Sequence, residues 1–115
     1  MAISRLWYVT TSVHLWRFYF RYQKVDRAKL SEPSRLNWEA CDRAISKFTD
    51  QEIDLLEQYY MVGYGNYEDM DAVRTYAEQN GITPSDAWET IKRANYEVIV
   101  ERGLMERKGG DKDGT

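Results

Sequence analysis

A single cysteine, Cys41, stands in the 115 residues, so no internal disulfide can close and no thiolate-rich zinc site can be assembled. Histidine is as scarce. His14 stands alone, which excludes the paired-histidine motifs of metal centres, and nothing around it supplies an orienting partner, so it reads as an ordinary helix residue. Cys41, beside Ala40 and Ala44, reads as a small packed side chain rather than a nucleophile. No apolar run approaches the length that spans a bilayer. Met1 to Arg21 carries Arg5, Arg17, Arg21 and polar threonines where a secretory leader needs its apolar segment, so a cytoplasmic protein without a membrane partner is expected. The many carboxylates are spread over helix faces and form no nucleophile–base pair or metal set. Neither enzyme activity nor a cofactor is therefore expected.

What is present is a foldable composition: 43% hydrophobic and 30% charged residues place the chain among globular proteins rather than disordered ones. Its length suits one domain with a modest core. The net charge of −3 is distributed unevenly. Met1 to Phe48 holds nine Lys/Arg against four Asp/Glu, whereas Thr49 to Lys108 holds six against thirteen. Long-range attraction to nucleic acid would have to come from the first half or from local spots in the second.

Leu6 to about Leu30 is aromatic and basic together, and Leu6, Val9, Val13, Trp16 and Phe20 follow the spacing of a helical stripe without an interrupting Gly or Pro. One long helix is expected, although Trp7 to Thr11 are good strand formers and would also suit an extended segment. Trp7, Phe18, Tyr19 and Tyr22 lie largely off the stripe. They would either pack inside the monomer, form a dimer or polymerase contact, or stack bases with Arg17, Arg21, Lys24 and Arg27 on phosphates.

Ser31 to Ser34, with Pro33, breaks the helix, and Leu36, Ala40, Ala44, Ile45 and Phe48 mark a second one in the same bundle. Thr49 and Glu52 form a capping box, with Phe48 placed to staple against Ile53, and Ile53, Leu55, Leu56, Tyr59 and Tyr60 give a broad apolar face. Gly63, Gly65 and Asn66 make a loop. Tyr67 to Asn80 follows as one helix or two short ones, with Met70, Val73, Tyr76 and Ala77 inward. At Gly81 to Pro84 the signals are dense: a glycine free to take positive φ, Thr83 as N-cap, Pro84 at the first helical position and Asp86 three residues after the cap. That helix runs through Ala87, Ile91, Ala94, Val98 and Ile99 to Arg102, and Gly103 stops it. The expected architecture is an all-α bundle of about five helices in one domain, residues 1–108. Aromatic, basic helices occupy 1–47 and a helix-turn-helix part 48–104; a disordered tail is expected at 109–115.

Two helices joined through Asn80-Gly81-Ile82-Thr83, with Ala77 four before the glycine and Ile82 just after it, make a helix-turn-helix pattern. From Phe48 to Leu104 the chain resembles the fourth, promoter-reading region of bacterial sigma factors and the small phage or mobile-element regulators built on it. FTDQEIDLLEQYY is similar to the family's first helix, Tyr67-Glu68-Asp69-Met70 to the entry of its second, and GITPSDAWETIKRA to its turn and reading helix. The segment from Tyr67 to Gly81 is longer than the family's, Asn80 stands where it has an apolar residue, and the reading helix is poor in arginine.

The resemblance implies a sequence-specific, double-stranded-DNA-binding transcription regulator whose reading helix enters the major groove with Ser85, Trp88, Glu89, Lys92 and Arg93 outward. It also implies RNA polymerase as a partner. A homodimer would add a second half-site to a weakly basic reading helix. The alternative is a non-enzymatic protein-interaction module that uses the helix-turn-helix as scaffold, and pairing of Glu89 and Glu97 with Lys92 and Arg93 would favour it.

Overall fold

The computed structural model describes residues 4–62 and 70–107. The expected loop at Gly63, Gly65 and Asn66, the Tyr67-Glu68-Asp69 entry and the tail at 109–115 lie outside the described residues. Five α-helices and one turn of 3-10 helix make an all-α bundle, with no strand among the described residues: α1 (Arg5–Arg21), α2 (Glu32–Ile45), α3 (Asp50–Val62), α4 (Met70–Asn80) and α5 (Pro84–Glu101).

α1 begins where the Ser4 hydroxyl accepts from the Trp7 N–H at 3.1 Å, so the first dozen residues are helical rather than extended. It stops at Arg21, short of the expected Leu30. The Trp38 indole N–H donates to the Tyr22 carbonyl at 3.0 Å, and the Asp26 carboxylate accepts from the Ala28 N–H to open the 3-10 turn Arg27–Lys29. A tertiary hydrogen bond and a local cap thus take over the backbone groups that a longer helix would use. Ser31 to Ser34 does more than break the chain. Ser31 caps α2, and Pro33 sits in its first turn, where the missing N–H costs nothing.

The face of α2 is set by Trp38, Cys41 and Ala44, all buried with Ala40. Leu36, expected on that face, lies about 140° around the helix from Cys41 and is exposed. The Thr49–Glu52 capping box forms in both directions, at 2.9 and 3.2 Å, and Leu55, Leu56, Tyr59 and Tyr60 then turn into the core. On α4, Val73, Tyr76 and Ala77 are buried.

α5 is the axis of the bundle: it packs against α1, α2, α3 and α4, and Ala87, Ile91, Ala94, Val98 and Ile99 are fully enclosed. The aromatic core lies between it and α1. Trp16 is completely buried, stacks on Phe20 and Tyr60 at 5.6 and 6.1 Å, and donates its indole N–H to the Ala94 carbonyl at 3.0 Å. The Tyr60 hydroxyl donates to Asn95 Oδ1, which satisfies both groups inside the core.

α1 buries a wider stripe than its spacing suggested: Ser12, Val13, Leu15, Trp16, Tyr19 and Phe20. Leu6, expected on it, is 72% exposed because it lies beyond the packed neighbours at the start of the helix. Tyr19, grouped with the partner-facing aromatics, belongs to the core. It is 5% exposed, its ring 5.0 Å from Trp38 and its hydroxyl donating to Asp42 at 2.8 Å. No described helix is long and apolar enough to cross a membrane.

Candidate functional site

The corner between α4 and α5 is closed by local chemistry. Gly81 takes φ +69°, the Ile82 N–H reaches back to the Ala77 carbonyl at 3.0 Å, and the Asn80 amide donates to the Tyr76 carbonyl at 2.9 Å. Those bonds satisfy carbonyls that the end of α4 would leave open. Two residues later the Thr83 hydroxyl accepts from the Asp86 N–H at 3.0 Å and α5 begins. The corner is therefore three residues long, and it presents the first half of α5 at the surface.

Ser85, Trp88, Glu89 and Lys92 share one stripe of that surface at helical spacing. Ser85, Glu89 and Lys92 are exposed, while Trp88 is half-buried with its ring edge-on to Tyr59 at 6.2 Å. Lys92 Nζ lies 2.8 Å from Glu89 Oε2. Arg93 is turned about 100° from Lys92 and reaches toward the start of α3, where its guanidinium lies 4.6 Å from the Phe48 ring centroid and 3.1 Å from Glu52 Oε1. Burial pushes the Glu52 carboxyl up, but hydrogen bonds from the Thr49 N–H and from Arg93 outweigh it and hold the carboxyl below its usual range. Both cations of this surface are thus neutralised by neighbours, and Asp86 adds a further exposed acid.

Glu97 does not pair with Lys92 or Arg93. It faces the other way, accepting from Lys47 Nζ at 2.8 Å and from both terminal nitrogens of Arg107 at 2.9 and 2.8 Å. Glu101 beside it takes Arg43 at 2.9 Å and Lys47 at 3.3 Å. Arg107 also lies over the Tyr96 ring at 5.6 Å. The two acids of the second half of α5 consequently engage the cations at the end of α2. Sequence spacing carried no signal for this cluster, because its partners come from three segments.

The single cysteine and histidine sit apart. The Cys41 thiol donates to the Leu15 carbonyl at 3.3 Å, and burial pushes its pKa well above the usual thiol value, so it packs rather than reacts. His14 is exposed on α1 and borders a cavity of about 390 Å³ together with Phe18, Asn37, Arg102 and Leu104. Arg102 is seventeen residues along the chain from Ser85, about 25 Å by helical rise, so this cavity is separate from the first half of α5. Trp7 and Tyr22 are exposed on the same helix as His14, and Phe18 is half-buried. Among the described residues no group of His, Cys, Asp and Glu could hold a metal ion.

The elements define an all-α helical bundle with an exposed first half of α5 as its candidate surface. Compared with known proteins, the chain matches no family model, no curated protein and no solved structure.

Proposed function

We propose that the chain is a small cytoplasmic, non-enzymatic DNA-binding transcription regulator of sigma-region-4-like type, such as phages and mobile elements carry, with α4 and α5 as its helix-turn-helix. One observation carries the reading: a three-residue corner, with Gly81 at φ +69° and Thr83 as cap, delivers a long helix whose first half is free of the core at Ser85, Glu89, Lys92 and Arg93. That is how a reading helix is offered to a major groove, its N-terminal half toward the bases. Glu89 would accept from a cytosine amine, and Lys92 and Arg93 would exchange their carboxylate partners for phosphate or guanine. Such exchange is inexpensive, since exposed ion pairs are worth roughly 0–1 kcal/mol. One reading helix with two cations binds weakly, so RNA polymerase or a second copy supplies the remaining affinity.

The test is selection of the purified protein on randomised duplexes at low salt. Enrichment of one motif is expected, and Lys92→Ala with Arg93→Ala should lower affinity and reduce the salt slope by about one for each phosphate no longer neutralised. The second reading, a protein-interaction module on the same scaffold, is favoured by the pairing of Lys92 with Glu89 and of Arg93 with Glu52. Absence of any salt-dependent duplex binding would select it over the first.

A further inference from the structure

The DNA-reading surface proposed on the first half of α5 does not include the outward side of α1, whose composition is one-sided. Its seventeen residues include no carboxylate. Opposite the buried stripe run Trp7, Thr11, His14, Phe18 and Tyr22, spaced by three or four residues on one face of the helix. Trp7 and Tyr22 are 40% and 45% exposed, and the Phe18 ring lies 5.1 Å from that of Tyr22. Between Phe18 and the segment after α5 opens the cavity of about 390 Å³, with Leu104, 39% exposed, on its far wall. That volume falls within the range of pockets that accept apolar groups.

Three cations of the adjoining segments, Arg21, Lys24 and Arg102, have no carboxylate partner among the described residues. Arg102 is tied to the neutral Asn37 amide, its Nε donating to Oδ1 at 2.6 Å, so its charge is positioned but not compensated. No carboxylate lines the cavity. This contrasts with Arg43, Lys47, Lys92, Arg93 and Arg107, each of which faces an acid.

We propose that this face docks an acidic amphipathic helix of a partner protein, with its apolar anchors between Phe18 and Leu104 and its carboxylates toward Arg21, Lys24 and Arg102. From Trp7 to Tyr22 the stripe is about 22 Å long, the length of four helical turns, and helix-in-groove recognition uses anchors at this spacing. A second copy is disfavoured as occupant: a two-fold contact would set the same cations against each other. Single-stranded nucleic acid is disfavoured by shape. Phe18, at the centre of the stripe, is half-buried against Tyr22 on one side and borders the cavity on the other, so the face does not offer an unbroken row of open rings for stacking.

The test uses the full chain and two displayed libraries of amphipathic helices with the same apolar positions, one with glutamate and one with lysine on the polar face. Enrichment of the glutamate library alone is expected. Its best clones should bind about tenfold more weakly to Tyr22→Glu and to the Arg21→Glu, Lys24→Glu double variant, and should weaken with salt on the unmodified chain. Circular dichroism melts establish that each variant is folded, and the salt titration stands without any variant. Lys92→Ala should leave this binding unchanged, which separates the result from the duplex selection. Equal enrichment of the libraries, enrichment of neither, or salt-insensitive binding overturns the proposal. So does self-association abolished by Tyr22→Glu, or binding of a single-stranded oligonucleotide lost in the same variants.

Discussion

Glu97 holds three cationic nitrogens with one carboxylate, from Lys47 just after α2 and from Arg107 beyond the end of α5. The Arg107 hydrogen bonds are the main cause of its depressed pKa, opposed by burial and reinforced by Lys47, and the carboxyl is brought down to about 2 from an ordinary 4.5. A depressed carboxyl stabilises the fold in full above its unfolded pKa, and that contribution disappears as pH falls from about 4.5 through about 2. Lys47 and Arg107 are 40% and 36% exposed, so solvent screening reduces the contribution to about 1 kcal/mol. Glu97→Gln should therefore lose about that much at pH 7 and show a flatter decline between pH 4.5 and pH 2. Urea melts at several pH values check this, and parallel acid slopes in the two proteins would remove Glu97 from the account. The partners lie 50 and 10 residues away in the chain. A local reading that sets Glu97 against Lys92 and Arg93, its neighbours in sequence, cannot find them.

At the scale of elements, what is legible in the chain is what closes within a turn. Thr49 with Glu52, Thr83 with Asp86, and the glycines 81 and 103 each act on backbone groups within five residues, and the helix starts and stops follow them. The end of α1 is not legible, because Trp38, sixteen residues on, takes the Tyr22 carbonyl. The candidate surface divides in the same manner. Exposure of Ser85, Glu89 and Lys92 follows from helical periodicity, whereas capture of Arg93 by Glu52 depends on where α3 starts relative to α5. The corner at Gly81 offers a test in which crowding plays no part: a Cβ there would meet nothing within 4 Å, so a side chain is opposed by the positive φ alone. Gly81→Ala should cost about 1–2 kcal/mol, read as a lowered denaturant midpoint with an unchanged slope. A D-alanine introduced by ligation should cost little or stabilise, since it favours positive φ and has fewer unfolded conformations than glycine. Equal losses for both alanines would mean that side-chain bulk, not backbone conformation, governs the corner.

For the whole molecule, the decisive feature is that the sequence halves distinguished by charge and by resemblance are not separate bodies. Trp16 of α1 packs against both Phe20 and Tyr60 with its indole N–H on the Ala94 carbonyl of α5, and the Arg17 guanidinium donates to the Tyr60 carbonyl at 2.9 Å. α2 closes the other side of α5 with Cys41 and Ala44 buried and with Arg43 on Glu101. Removing residues 1–48 would expose one side of α5 along Ala94, Val98 and Ile99 and leave Tyr60 without its stacking partners. The loss of Trp16 alone is of the order of 3–5 kcal/mol, a large part of the stability of a domain this size. Segment 49–108 made alone is accordingly expected to show weak helicity and no cooperative melt, whereas the full chain unfolds in one transition. Co-expression of 1–48 with 49–108 should restore the complex. A segment 49–108 that melts cooperatively by itself would mean that the half holding α3, α4 and α5 is autonomous, and the aromatic half would then be an appended module rather than the other wall of one core.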